Sequence, residues 1–338
     1  LKVYTTVDKD LQEFGHKAFS NYSKSLGSKK RRQELSGALV ALDSETGAVR
    51  SLQGGWSYQG SQFNRALYTK RKLGRMYLPL YYSLALDSGY DFSDPVDRDF
   101  FASKSQRTPG VPTLYEGLMN KPLYESLPLY SSLGASYINN FAGKLGYNYS
   151  SKDLFMALGE GTSTPLQLAV AYSSFFNQGH KVSPYLIREI RDYKGRPLYE
   201  RRKKEKVKVL SLEASEMVRY AFQQQMQGEF NDSPGLLERV FVSANDDYYD
   251  GWACGAKGPV TTAIWLGSEK GRMTLGSNVK TIKKSLYSLW KYYNSAVRNS
   301  SQESKELSSS SLLSFEAIHL GPKQKAYVPF VPNRNINR

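Results

Sequence analysis

Residues 70–79, Lys-Arg-Lys-Leu-Gly-Arg-Met-Tyr-Leu-Pro, open onto an apolar stretch from Leu80 to Leu86. The basic residues give way to Gly74 and Pro79, and Leu80, Tyr81, Leu84 and Ala85 then recur at helical spacing. This predicts a loop that delivers a helix start into a core. The rest of the chain must surround that helix. At 338 residues with 40% hydrophobic content, it can do so as one large domain or one domain with appendages.

The formal net charge of +15 is concentrated partly in runs such as Lys29–Arg32 and Arg201–Lys204. Such runs are ordinarily solvated loop faces, and together they favour polyanionic neighbours: anionic lipid or an anionic wall polymer. No nucleic-acid motif accompanies them, so nucleic acid is not an expected partner. Cys254 stands alone and His16, His180 and His319 are scattered, which excludes a disulfide framework and a zinc cluster; neither cofactor nor metal is expected. Cys254 lies in a strand-like run and reads as core filling. The acidic group Asn245–Asp250 reads as a solvated turn, and the 25 tyrosines as core residues with hydroxyls at the rim. No run of about 18 apolar residues marks a membrane span. The start at Leu1, already within ordered structure by Tyr4, leads to the expectation of a missing upstream part that carries any anchor.

In chain order, Thr5–Asp8 predicts a short strand ending in a helix cap, followed by the stripe Leu11, Phe14, Ala18, Tyr22, with the helix lost between Ser25 and Arg32. Ala38–Asp43 and Ala48–Leu52 flank Ser44-Glu45-Thr46-Gly47 as a hairpin. Asp91–Pro128 reads as irregular, with a short helix near Leu123–Leu127. Helices are predicted over Tyr137–Leu145, Leu166–Phe176 (with Thr164 as cap and Pro165 at its first position), Leu212–Met226 and Val279–Tyr293. Tyr185–Asp192 with Leu198–Arg201 is a second hairpin, and Val240–Ala244, Trp252–Ala256 and Thr261–Gly267 are strands. The pattern is α+β: an antiparallel sheet covered by helices, with an all-helical subregion. The expected boundaries are a lead-in strand and helix (1–36), the main domain (37–298), a flexible Ser-rich linker (299–311) and a C-terminal tail (312–338) with apolar and proline patches.

Several stretches carry a family resemblance: Tyr4–Gln12, Gly37–Val49, Gly54-Gly55-Trp56 through Gln62–Ala66, Ala157–Tyr172 and Ala263–Gly267. In that order they resemble the transpeptidase domain of class A penicillin-binding proteins, the bifunctional peptidoglycan synthases. The resemblance implies a fold of the penicillin-binding protein and serine β-lactamase type, an extracytoplasmic setting in the periplasm or on the outer face of the cytoplasmic membrane, and an upstream glycosyltransferase and anchor.

It also locates the chemistry, and there the chain departs from the family. Members carry Ser-x-x-Lys after the glycine of the basic loop, serine as nucleophile and lysine as base on one helix face; the matching positions are Arg75 and Leu78. A guanidinium stays protonated and leucine accepts no proton, so both roles are lost. Counting back from Gly146, the family's Ser-x-Asn falls on Leu133-Gly134-Ala135, or with one insertion on Ser132-Leu133-Gly134; neither has the asparagine. Counting back from Asp250-Gly251-Trp252, the Lys-Thr-Gly that holds the substrate carboxylate falls on Phe241-Val242-Ser243. The expected function is a catalytically inactive transpeptidase-like domain that scaffolds or regulates peptidoglycan synthesis beside other envelope proteins. The alternatives are an active transpeptidase or carboxypeptidase with displaced motifs, and a binding module for anionic polymer or lipid.

Overall fold

The structure is a computed structural model; it describes residues 1–97, 111–119, 126–147, 158–202, 205–233, 235, 238–245, 247–268, 270–298, 314–321 and 324–330. The linker expected at 299–311 lies outside these residues.

The chain begins with β1 (Lys2–Thr5) and α1 (Lys9–Ser25), where Asp8 accepts from the Leu11 amide. A second short helix follows, α2 (Lys29–Glu34), capped by Ser28, so the first basic run is helical and not the loop expected from its charge. β2 (Ser36–Asp43) and β3 (Val49–Gln53) form the predicted hairpin. Then come α3 (Arg65–Tyr68), β4 (Arg71–Lys72), a 3-10 turn (Gly74–Tyr77) and α4 (Leu78–Asp87). α5 (Leu114–Met119) lies within the stretch 91–128 read as irregular, α6 (Leu127–Leu133) begins at its end, and α7 (Ala135–Leu145) is the helix predicted over Tyr137–Leu145. The signal for α5 was present as Thr113-x-x-Glu116, since each of these side chains caps the other's amide. β5 (Thr162–Ser163) precedes α8 (Pro165–Ser173), which starts in a capping box between Thr164 and Gln167.

β6 (His180–Lys181), β7 (Ile187–Arg191), β8 (Pro197–Glu200) and β9 (Val207–Lys208) lead to α9 (Leu212–Phe230). β10 (Glu238–Ala244), β11 (Asp250–Lys257), β12 (Val260–Gly267) and α10 (Val279–Asn294) complete the body. The C-terminal tail contains a hairpin that the sequence reading missed, β13 (Ser314–Gly321) with β14 (Gln324–Phe330), and β14 lies against α9. Its turn signal was Gly321-Pro322.

The main sheet runs β10-β11-β12-β2-β3, antiparallel throughout. Period-two alternation assigns its residues to two cores. Leu39, Ala41, Val240, Val242 and Ile264 pack with Leu11 and Phe19 of α1 and Leu286 and Trp290 of α10. Val40, Leu42, Phe241, Trp252, Cys254 and Trp265 pack with α4, α8 and α9 on the other face. The lead-in helix α1 is therefore one layer of this body. Among the described residues, no helix is long and apolar enough to cross a membrane, and no group of three or more His, Cys, Asp or Glu side chains suits a metal ion.

Candidate functional site

The basic loop is tied to the body on both sides. Arg71 forms a fork with Asp250, Nε to Oδ1 at 2.7 Å and Nη2 to Oδ2 at 3.0 Å, and donates to the Ser268 carbonyl at 2.8 Å. The Trp265 indole donates to the same carboxylate at 2.8 Å. Burial pushes the Asp250 carboxyl above its usual range, against the pull of the Arg71 fork. On the other side, the Leu73 amide donates to the Gly161 carbonyl at 2.8 Å and the Gly74 amide to the Gly159 carbonyl at 3.0 Å. Gly74 and Gly159 both have positive φ, +52° and +75°, and their backbones are so close that a Cβ on Gly159 would stand 2.5 Å from Gly74 Cα.

Position 75 therefore sits where the sequence puts it, on the 3-10 turn that leads into the buried α4, with β10 alongside. The Arg75 side chain is half-buried and committed: Nη2 donates to the Leu118 carbonyl at 2.7 Å and to the Gly117 carbonyl at 3.4 Å. It caps the C-terminal turn of α5, where carbonyls lack partners and a cation is favoured. One turn further on, Leu78 is fully buried, in the cluster that also holds Tyr77, Tyr81 and Tyr82. The Tyr172 hydroxyl donates to the Met76 carbonyl at 2.9 Å and holds this turn against α8.

The strand positions are equally closed. Phe241 is 1% exposed and its ring lies 5.4 Å from Phe222 of α9, which stacks on Tyr172 at 5.7 Å and meets Phe175 edge-on at 5.9 Å. An aromatic core thus occupies the place where the family resemblance puts an anion-binding lysine. β10 is the free edge of the sheet, which an extended peptide joins through backbone hydrogen bonds. Here Gln225 of α9 takes the outward pair at Val242: the Val242 amide donates to Oε1 at 2.8 Å and Nε2 donates to the Val242 carbonyl at 3.0 Å. Ser243 is fully buried, and its hydroxyl has no hydrogen-bond partner among the described residues. Cys254 is likewise fully buried on β11, and burial pushes its thiol well above the ordinary range, so it is no ready nucleophile.

The remaining sequence-assigned positions lie apart from these contacts. Ser132 lies in the last turn of α6 with its hydroxyl 3.0 Å from that of Tyr90, Gly134 has φ +80° between α6 and α7, and Ala135 begins α7. The described residues that bond to Arg75 come instead from the end of α5, a whole helix earlier. Counting back from Gly146 crossed only one helix, whereas two consecutive helices separate Gly146 from the end of α5. The stretch that follows α5, Asn120-Lys121-Pro122-Leu123-Tyr124-Glu125, lies outside the described residues; its sequence contains no Ser-x-Asn. Sequence reasoning also missed Gln225 and the α5 carbonyls, whose roles arise only when the helices dock.

This arrangement, a five-stranded antiparallel sheet with a buried helix beginning beside its edge strand, is the fold of the penicillin-binding-protein transpeptidase domains. Among solved structures, penicillin-binding protein 1A of Haemophilus influenzae superposes with a TM-score of 0.68 at 20% identity, over 87% of this chain and 53% of that one. The penicillin-binding protein PonA1 of Mycobacterium tuberculosis gives 0.70 at 16% identity, over 89% and 86%. The family model described as penicillin binding protein transpeptidase domain matches residues 124–238. In sequence the chain is related to class A penicillin-binding proteins: it is 36% identical over 178 residues to penicillin-binding protein 1A of Neisseria lactamica and 34% identical over 178 residues to that of Pseudomonas aeruginosa. In each case the match is 48% of this chain and 22% of the relative.

Proposed function

We propose that this is a catalytically inactive transpeptidase-like domain, retained as a scaffold or regulator of peptidoglycan synthesis on the outer face of the cytoplasmic membrane, where it works with a linked glycosyltransferase or a partner synthase. The observation that carries this reading is that the positions of nucleophile, base and anion holder are closed into packing. Arg75 is bonded to the α5 carbonyls, and Leu78 and Phe241 are 0% and 1% exposed in a single core. In this reading the second motif is lost as well: neither Ser132–Ala135, where the count from Gly146 puts it, nor the sequence 120–125 contains Ser-x-Asn. Loss of one member of a catalytic unit costs about 10⁴-fold to 10⁶-fold in turnover, and further losses add little. Gln225 supports the same reading, because a stem peptide that added to β10 would have to displace it.

The test is incubation of the purified chain with a fluorescent penicillin, read by gel fluorescence and intact mass, beside the double variant Arg75→Ser, Leu78→Lys. Neither protein is expected to form an adduct: the natural chain has no nucleophile, and the variant still has Phe241 where the anion must bind. A stoichiometric adduct on the natural chain overturns the reading, and the labelled residue then names the true nucleophile.

A further inference from the structure

The small sheet β1-β7-β8 carries an exposed apolar row next to a cationic cleft. Its register places Val3, Ile190 and Tyr199 side by side, hence on one face. Val3 is 51% and Tyr199 46% exposed, Ile190 between them is half-buried, and Leu198, next to Tyr199 in β8, turns to the opposite face. The cleft, about 260 Å³, lies between the β2–β3 turn and the β7–β8 hairpin and is lined by Lys181, Arg188, Arg201 and Lys206 together with Glu45 and Glu205.

Lys206 is paired with Glu45 at 2.9 Å. Among the described residues Lys181, Arg188 and Arg201 have no carboxylate partner. Arg201 is held ready: its guanidinium lies 3.5 Å from the centre of the Tyr185 ring and donates to the Ser183 and Arg202 carbonyls, both at 3.1 Å, while its Nε is buried without a hydrogen-bond partner. With Nε buried, each Nη keeps one further N–H to offer, and these with Arg188 and Lys181 beside them suit a phosphate group.

We propose that this face docks on an anionic phospholipid surface, with a lipid phosphate seated between Arg188 and Arg201 above Lys181, and Val3, Ile190 and Tyr199 at the boundary between headgroups and acyl chains. Charge complementarity selects an anionic partner for a chain of net charge +15. The apolar row selects a membrane over a soluble polyanion, because a hydrophilic polymer would fill the cleft and leave the row in water. The inference does not depend on the state of the transpeptidase site.

The experiment is flotation of the chain with vesicles of mixed phosphatidylglycerol and phosphatidylcholine, beside phosphatidylcholine alone. Binding to the anionic vesicles only, weakening as salt rises, is expected. Arg188→Gln, an exposed side chain without an ion pair among the described residues, should weaken partitioning roughly fivefold, and Arg188→Gln with Arg201→Gln roughly thirtyfold. Val3→Ser with Tyr199→Ser should weaken it with both arginines intact. Absence of vesicle binding overturns the proposal, as does binding indifferent to Arg188→Gln and to the Val3 and Tyr199 substitutions. Capture of soluble polyphosphate without vesicle binding also overturns it, and assigns the cleft to a polymer instead.

Discussion

Placing a lysine at position 78, where the proposed reading locates the family's base, by Leu78→Lys tests whether that position is closed. Leu78 is fully buried among Tyr77, Tyr81 and Tyr82, in the same core as Phe241 and Phe222. An ammonium there gives up its water, and buried lysines answer by losing their proton, with pKa values near about 5–6. Keeping a lysine of ordinary pKa about 10.4 neutral at pH 7 costs about 4.6 kcal/mol, a large part of the roughly 5–15 kcal/mol that holds a domain together. The sign is fixed by linkage. The folded-state pKa is the depressed one, so the folded variant binds fewer protons, and its deficit relative to the natural chain shrinks as pH rises from the folded value toward 10.4. The slope is about 1.4 kcal/mol per pH unit. Urea unfolding of both proteins at pH values between about 6 and 9 reads the deficit directly. A deficit below about 1 kcal/mol, flat with pH, would show that the site keeps room and polar neighbours for an ammonium, and the closed-site argument would fall.

Gly159→Ala should destabilise by about 2 kcal/mol or more, because the new methyl meets Gly74 Cα at 2.5 Å on a residue with φ +75°; a neutral or stabilising result in thermal unfolding would mean that the two loops are not in contact. Alkaline titration should unfold the domain cooperatively. Burial raises the phenols of Tyr22 and Tyr115 to about 12, and those of Tyr81, Tyr172 and Tyr293 well above the ordinary value. Since the folded pKa is the higher one, this stability is full below about pH 10 and lost above it, by about 1.4 kcal/mol per pH unit for each phenol kept un-ionised. Phenolate absorbance should therefore appear in step with loss of circular dichroism, and smooth ionisation near pH 10 with the fold intact would contradict this burial pattern.

The parts of the fold that were legible in the sequence are those specified locally. The β2–β3 hairpin follows from alternation about Ser44–Gly47, α8 from Thr164 and Pro165, and the placement of Arg75 at a helix start from Gly74 and the apolar run after it. α5 carried its own signal in Thr113 and Glu116 but was hidden in a stretch rich in proline, serine and aspartate. The hairpin of β13 and β14 was hidden by the low-complexity run before it. Two features had no local signature at all. Gln225 is an ordinary polar residue on a helix until docking of α9 brings its amide to Val242, and Arg75 reads as one more cation of a basic loop until α5 presents its carbonyls. Partners that arise only when elements dock cannot be read from spacing along the chain.

The closed positions are best understood as one physical change. A catalytic site of this fold keeps a lysine on the helix and another on the strand, each in partly desolvated surroundings, and such groups are held at the expense of stability. Once the nucleophile is gone, the lysine at position 78 has no proton to take, and apolar replacement removes a buried charge. The same applies on the strand: without an acyl substrate to orient, a lysine at 241 is an ammonium facing Phe222, whereas a phenylalanine extends the Tyr172–Phe222 stack. Each replacement makes the next one favourable, because every apolar side chain added lowers the dielectric around the charges that remain. Arg75 fits the same logic. Its cation is accommodated because the C-terminal carbonyls of α5 accept its hydrogen bonds, so the residue at the position matched to the nucleophile ties helix to helix. On the proposed reading, a domain altered in this way would lose acyl transfer and keep its fold and outer surface, as a scaffold requires.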